Sequence, residues 1–199
     1  MERFSKLYNE VNEFCKICYA FKANLDKNKL SSLNLPEEKY DYLIECGGKL
    51  IGSGGSRHTF AISSKRAIKI NKWPNSETNQ NSFEYETLIE YNSNLLPKAY
   101  EHASDFSWIE VELCRPLKSK SEFLQLTGIK YNDFQDIIFD QYDKKIYLED
   151  VENKFIQELN DLYLDSNIDL IEIAKLQNLG INSSGKIVIL DVGMIYQTN

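Results

Sequence analysis

Lys49-Leu50-Ile51-Gly52-Ser53-Gly54-Gly55-Ser56-Arg57-His58-Thr59-Phe60-Ala61-Ile62-Ser63-Ser64-Lys65-Arg66-Ala67-Ile68-Lys69-Ile70 is the stretch that decides how this chain is read. Lys49 to Gly52 leads into a glycine-rich turn, and Thr59 to Ile62 leads out of it. Ser63-Ser64-Lys65 makes a second turn before Arg66 to Ile70. Three short apolar runs separated by turn residues predict an antiparallel meander. Glycines in the first turn let the backbone approach a phosphate closely and aim N–H groups at it. A strand follows the turn, where a Rossmann or Walker loop needs a helix, so a glycine-rich flap over a nucleotide fits better. A plain flexible hairpin is the competing reading.

Lys69 lies inside the apolar run Ala67-Ile68-Lys69-Ile70. A lysine on a core strand is costly to bury unless it meets an anion; pointing the other way, it is a solvated edge charge. Asn81 to Tyr91 reads as a helix carrying Glu84 and Glu86, either of which is available to pair with Lys69. Ala99 to Glu101 and Trp108 to Leu113 read as two further strands. Five strands with a helix after the third is an informative order.

Beyond Leu113 the pattern turns helical over Ser121 to Leu126, Asn132 to Tyr142 and Glu149 to Leu164, each with an apolar face. Leu179-Gly180-Ile181 and Ile187-Val188-Ile189-Leu190 flank Ser183-Ser184-Gly185, a hairpin signal that delivers Asp191-Val192-Gly193 at the end of an apolar strand. A carboxylate at the mouth of a buried strand suits Mg²⁺, which takes a protein carboxylate plus substrate phosphates. Asn178 precedes Asp191 by one hairpin and offers a second oxygen ligand.

On the other side of the opening stretch, Phe4, Leu7, Tyr8, Val11, Phe14, Cys15, Cys18 and Phe21 recur at helical spacing. Asn24 to Ser32 reads as a polar break. Asn34-Leu35-Pro36-Glu37-Glu38 starts a helix through Tyr40, Tyr42, Leu43 and Ile44, which Gly47-Gly48 stops. Cys15 and Cys18 form a lone Cys-x-x-Cys without a second ligand pair, so they read as buried packing residues and not as a zinc site.

The 199 residues suffice for one well-cored domain with a modest extension. With 42% hydrophobic and 27% charged residues, the composition argues against disorder. A net charge of −7 argues against general nucleic-acid binding. The start lacks the apolar core of a signal peptide, and no apolar run is long enough to span a membrane, so the expectation is a cytoplasmic protein with reduced thiols and no membrane partner.

Glycine flap, strand lysine, helix glutamate, strand pair, helices, asparagine, hairpin, Asp-x-Gly: this order resembles the protein-kinase-like fold from about Leu50 to Gly193. The resemblance implies an α+β chain with a five-stranded antiparallel N-lobe sheet and one helix at 47–114. A reduced helical C-lobe at 115–199 and an N-terminal helical extension at 1–46 complete it. Gly52, Ser53, Gly54 and Gly55 then form the phosphate flap, with Arg57 where a third glycine is usual. Lys69 resembles the phosphate-binding lysine, Glu84 its helix partner and Glu86 the fallback. Glu112-Leu113-Cys114 falls at the hinge, where backbone groups of Glu112 and Cys114 would meet adenine. Asp191-Val192-Gly193 resembles the metal-binding Asp-Phe-Gly element with its aromatic residue replaced. ATP and Mg²⁺ are the implied cofactors, with Asn178 and Asp191 as metal ligands.

Finer features are similar to a group of small kinase-like proteins encoded by bacteriophages and prophages. They lie in Ser107 to Glu112, in Arg115-Pro116-Leu117 leading to Phe123 through Gly128, and in Lys175 to Gly193. That likeness supplies a fold more than an activity. Two departures matter. Five residues before Asn178, where the family places its catalytic Asp, stands Ile173; Glu172 and Asp169 are near misses, with Lys175 as the basic neighbour. After Gly193 only six residues follow, so the activation segment and peptide-binding helices of the family have no counterpart. The N-terminal helices are free to occupy the place of those helices or to form a partner surface.

Three readings follow. The first is an ATP- and Mg²⁺-dependent phosphotransferase acting on a protein or small molecule, with Glu172 or Asp169 orienting the acceptor and Asp191 holding metal. The second is a pseudokinase that binds nucleotide without turnover. The third is a kinase-fold interaction protein, such as a phage factor acting on a host protein.

Overall fold

The computed structural model describes residues 21–73, 79–143, 148–166 and 168–192. All but the last residue of the expected N-terminal helix, together with Cys15, Cys18 and Gly193, lies outside the described residues. The described chain forms two units, 21–73 with 100–113 and 79–99 with 114–192.

The first unit is built on the expected meander. Strands β1 (Lys49–Ser53), β2 (Arg57–Ala61), β3 (Arg66–Asn71), β4 (Ala99–His102) and β5 (Trp108–Glu112) form a five-stranded antiparallel sheet in the order β1-β2-β3-β5-β4. Successive strand residues point to opposite faces, and the register divides them cleanly. Ile68 and Ile70 pair with Phe60 and His58 on β2, and with Glu110 and Trp108 on β5. Phe60, Ile68, Ile70 and Trp108 form one buried core with Leu30, Tyr42 and Leu43. Lys69, paired with Thr59 and Ile109, belongs to the opposite face.

Helices α1 (Lys27–Ser32) and α2 (Pro36–Glu45) supply that core's second layer. The segment expected as a polar break therefore contains a helix. Asp26 caps it by accepting from the N–H groups of Asn28 (2.9 Å) and Lys29 (3.2 Å), and its single buried side chain is Leu30. Pro36 opens α2, and Glu38 reaches back to the N–H groups of Asn34 and Leu35, so Glu38, and not Asn34, satisfies the helix start. Gly47, at φ 86°, ends the helix. In Gly48, a Cβ would stand 2.7 Å from the Leu43 carbonyl oxygen. These helices cover the sheet.

Polar contacts lock α1 to the sheet. The Lys27 ammonium pairs with both Glu101 and Glu110, and the other oxygen of Glu110 accepts from Arg66 at 3.0 Å. Arg66 also lies over the Tyr100 ring, 3.2 Å from its centroid. Trp108 is buried against the same layer, its indole N–H donating to the Ser31 hydroxyl at 3.1 Å.

The second unit begins with α3 (Gln80–Glu90), capped by Asn79. It continues through β6 (Arg115–Pro116), α4 (Lys120–Thr127), α5 (Tyr131–Tyr142), α6 (Lys154–Asp165) and α7 (Leu170–Ile173) to the hairpin β7 (Leu179–Ile181) and β8 (Ile187–Ile189). Phe123, Tyr131, Phe134 and Phe155 bring α4, α5 and α6 together around one aromatic cluster. β6, absent from the sequence reading, pairs with β7 to make a three-stranded sheet β6-β7-β8. Central Gly180 has no room for a side chain: a Cβ would meet Leu190 at 2.7 Å and the Arg115 carbonyl oxygen at 2.8 Å. Among the described residues no helix is long and apolar enough to cross a membrane.

Glu110 keeps only 4% of its side chain exposed, whereas Lys27 and Arg66 keep about a third in water. Removing its charge in Glu110→Gln weakens two charge-assisted bonds and is expected to cost about 1–3 kcal/mol, or roughly 2–4 °C of melting temperature per kcal/mol. Burial acts to lower the pKa of Lys27, but its bonds to Glu101 and Glu110 outweigh this and hold it above the ordinary 10.5. Its contribution is therefore full below that value and lost as pH rises through the folded-state pKa. Melting curves from neutral to strongly alkaline pH should fall less steeply at the alkaline end in Glu110→Gln than in the wild type.

Candidate functional site

On the first unit the flap joins β1 to β2. The Gly54 N–H donates to the Arg57 carbonyl at 3.0 Å, closing the turn. Lys72, just past β3, holds it from the side: its ammonium donates to the Gly54 carbonyl, and its backbone N–H donates to that of Ser56 at 2.8 Å. His58 enters the helix-covered face beside Tyr40, ring centroids 4.9 Å apart. Burial and then the Lys72 charge hold its pKa below the usual histidine value.

The other described glycines have an internal reason. Gly47, Gly128 and Gly185 adopt positive φ, and Gly48 and Gly180 lack space for a Cβ. The flap glycines differ. A Cβ on Gly52 would make ordinary contact with Thr59 at 3.7 Å, and one on Gly54 or Gly55 would meet nothing within 4 Å. Neither the backbone conformation nor the packing of the chain itself requires glycine at these three positions.

Lys69 is buried at the centre of β3, on the face opposite the core that α1 and α2 cover. Buried Arg57 shares that face, since its partner Asn71 stands two residues from Lys69. Ser53 ends β1 and is exposed. Glu112 is buried at the end of β5, and the following Leu113 N–H donates to the Lys65 carbonyl at 2.9 Å. The sheet therefore uses the central N–H of the expected hinge.

The remaining expected residues belong to the second unit. Glu84 is buried on α3, whereas Glu86 is exposed and accepts from the Ser82 hydroxyl at 2.8 Å. Cys114 is buried ahead of β6 and is not in a disulfide. Asp169 caps α7, accepting from the N–H groups of Ile171 (2.8 Å) and Glu172 (3.4 Å). The Glu172 carboxylate pairs with the Lys175 ammonium. The Asn178 amide donates to the Glu172 carbonyl at 2.9 Å and to its carboxylate at 3.4 Å. This closes a ring of contacts around α7.

The hairpin brings Asn178 and Asp191 to one end of the β7–β8 pair, where the Leu190 N–H donates to the Asn178 carbonyl at 2.7 Å. The Gln80 side-chain amide, at the start of α3, donates to Asp191 Oδ1 at 3.0 Å. Sequence reasoning missed this bond, and nothing local signals it. It also missed the capping role of Asp169, although Asp169 followed three residues later by Glu172 is a helix-start pattern.

One carboxylate and one amide oxygen suit Mg²⁺ bound together with phosphates and water. Among the described residues no group of three or more His, Cys, Asp and Glu is placed to hold an ion by itself.

No protein-family model matches the sequence. No curated protein matches it either. Among solved structures, the streptomycin–ATP ternary complex of APH(2")-IIa is similar at a TM-score of 0.31 and 16% identity, over 55% of this chain and 38% of that one. The described residues define an α+β protein: the first unit carries a five-stranded antiparallel sheet with a glycine turn between its first two strands, and the second is mainly helical with a three-stranded sheet.

Just after Cys114, Arg115 donates from Nη1 and Nη2 to the two carboxylate oxygens of Glu122, which also accepts from the Lys118 N–H at 2.7 Å. Burial pushes the Glu122 pKa up, but the Arg115 bond and the Lys118 N–H outweigh it and hold the carboxyl below the ordinary 4.5. The pair's stabilisation is full above that value and lost as pH falls through the folded-state pKa. Glu122→Gln should lower neutral-pH stability by about 1.5–3 kcal/mol, with a shallower acid limb in urea melts between pH 6 and 3. An unchanged acid limb would remove Glu122 from the acid response.

Proposed function

We propose that this chain is a kinase-fold nucleotide-binding protein that does not carry out efficient phosphoryl transfer. The observation that carries this reading is the local engagement of both candidate bases. Asp169 is spent on capping α7, and Glu172 is held by Lys175 and Asn178. A general base must be within reach of the acceptor proton, and freeing either carboxylate means dismantling the start of α7 or its closing contacts. The nucleotide half of the reading is supported by the flap, whose glycines the chain's own packing does not require. Close approach of a phosphate to the backbone is a reason for them.

In this reading Gly52, Ser53, Gly54 and Gly55 cover phosphates and Lys69 neutralises them. Backbone groups at Glu112 and Cys114 meet the base. Asp191 and Asn178 hold Mg²⁺ carried by ATP. The sequence likeness to phage and prophage kinase-like proteins makes a host protein the natural recipient of any signal that nucleotide binding sets.

Saturating Mg–ATP, at a hundredfold excess over Kd, should stabilise the fold by about 2.7 kcal/mol, roughly 5–10 °C in melting temperature for a chain of this size. Gly54→Ala and Gly55→Ala should melt within about 0.5 kcal/mol of the wild type without nucleotide, yet lose most of that shift. Radiolabelled phosphate transfer and ATP hydrolysis should stay at background. Turnover that vanishes in Asp191→Ala would instead establish an active phosphotransferase. A melting curve indifferent to ATP, GTP and ADP would leave an interaction protein that kept the fold alone.

A further inference from the structure

We infer that Gln80 is a positioning residue for Asp191, through which the start of α3 sets the affinity for a nucleotide-borne divalent cation. This deepens the nucleotide-binding reading and rests on it.

Asp191 stands two residues past the last residue of β8. The final backbone bond before it is that of the Leu190 N–H to Asn178. The strand ladder therefore fixes where its Cα lies but not how its carboxylate is turned. Gln80 supplies an orienting bond from 111 residues away, its Nε2 donating to Oδ1 at 3.0 Å. Its own position is well determined. It is the first residue of α3, directly after Asn79, whose side chain accepts from the N–H groups of Asn81 (3.1 Å) and Ser82 (3.4 Å).

The chemistry of the donor matters as much as its distance. An ionised carboxylate has about four lone-pair sites, and the bond from Gln80 takes one of them while restraining the rotation of the group. A primary amide donates without adding charge. Lysine or arginine at this position would neutralise Asp191 and compete with the cation; glutamate would repel it. Carboxylates that ligate metals are held by such outer partners, and losing one typically costs about 10- to 100-fold in metal affinity.

Gln80→Met keeps the length and helix propensity of the side chain and removes its donor. The test is the Mg²⁺ concentration that gives half of the added thermal stabilisation at a fixed, saturating concentration of a non-hydrolysable ATP analogue. It is read beside the shift that the same analogue produces in EDTA. In Gln80→Met the Mg²⁺ midpoint should rise about 10- to 100-fold, with the EDTA shift unchanged. Asn79→Ala, which loosens the helix start but keeps the amide, should lower the melting temperature and leave the midpoint within twofold. A wild-type midpoint in Gln80→Met overturns the inference, as does a parallel loss of the Mg²⁺ and EDTA shifts. If the wild type responds to the analogue but gains nothing from Mg²⁺, the inference falls and nucleotide binding stands. If it responds to no nucleotide, the nucleotide-binding reading falls and takes this one with it.

Discussion

Alternation along a single strand organises the first unit. Within β3, Ile68 and Ile70 point to one face and Lys69 to the other, and cross-strand pairing extends the division to β2 and β5. The isoleucine face gathers Phe60 and Trp108 and is sealed by α1 and α2. The opposite face carries Lys69, Arg57 and Thr59. A one-residue slip of β3 would place a lysine in the apolar core and two isoleucines on the other face. The buried Glu110 carboxylate guards against it. Its two cationic partners, on α1 and on β3, meet it in one register only.

In the second unit the polar residues that a kinase reading draws on are unevenly committed. Asp169, Glu172, Lys175 and Asn178 bond mainly among themselves, over ten residues of sequence, and what they build is the short helix α7 and its exit. Asp191 is held differently, by a side chain from a distant helix. A distant contact of this kind ties one element's position to another's.

Much of the fold was legible because its signals are short-range. The β1–β2–β3 meander showed in alternating apolar residues broken by glycine and serine turns. The final hairpin showed in Ser183-Ser184-Gly185, where Gly185 takes φ 78°. Helix α1 was hidden because only Leu30 of its six residues is buried, too little for any periodicity. β6 was hidden because two residues, one of them proline, make no pattern. For the candidate site, residue types and chain order could be read, whereas partnerships could not. Whether Asp169 caps a helix or faces an acceptor depends on where α7 begins, and the reach of Gln80 to Asp191 spans most of the chain.

The first unit is discontinuous: residues 21–73 must wait for 100–113 before β5 can slot in beside β3. During synthesis the ribosome therefore delivers α3, part of the other unit, before the sheet is complete. Until then the meander exposes the β3 edge, with Ile68 and Ile70 lacking Trp108 as a neighbour. Unpaired strand edges of this kind invite association with other chains. Interleaved in this way, the two units cannot be inherited, shuffled or trimmed independently. A cut anywhere between residues 73 and 98 removes β4 and β5 from the first unit's sheet, and with them Trp108 from its core.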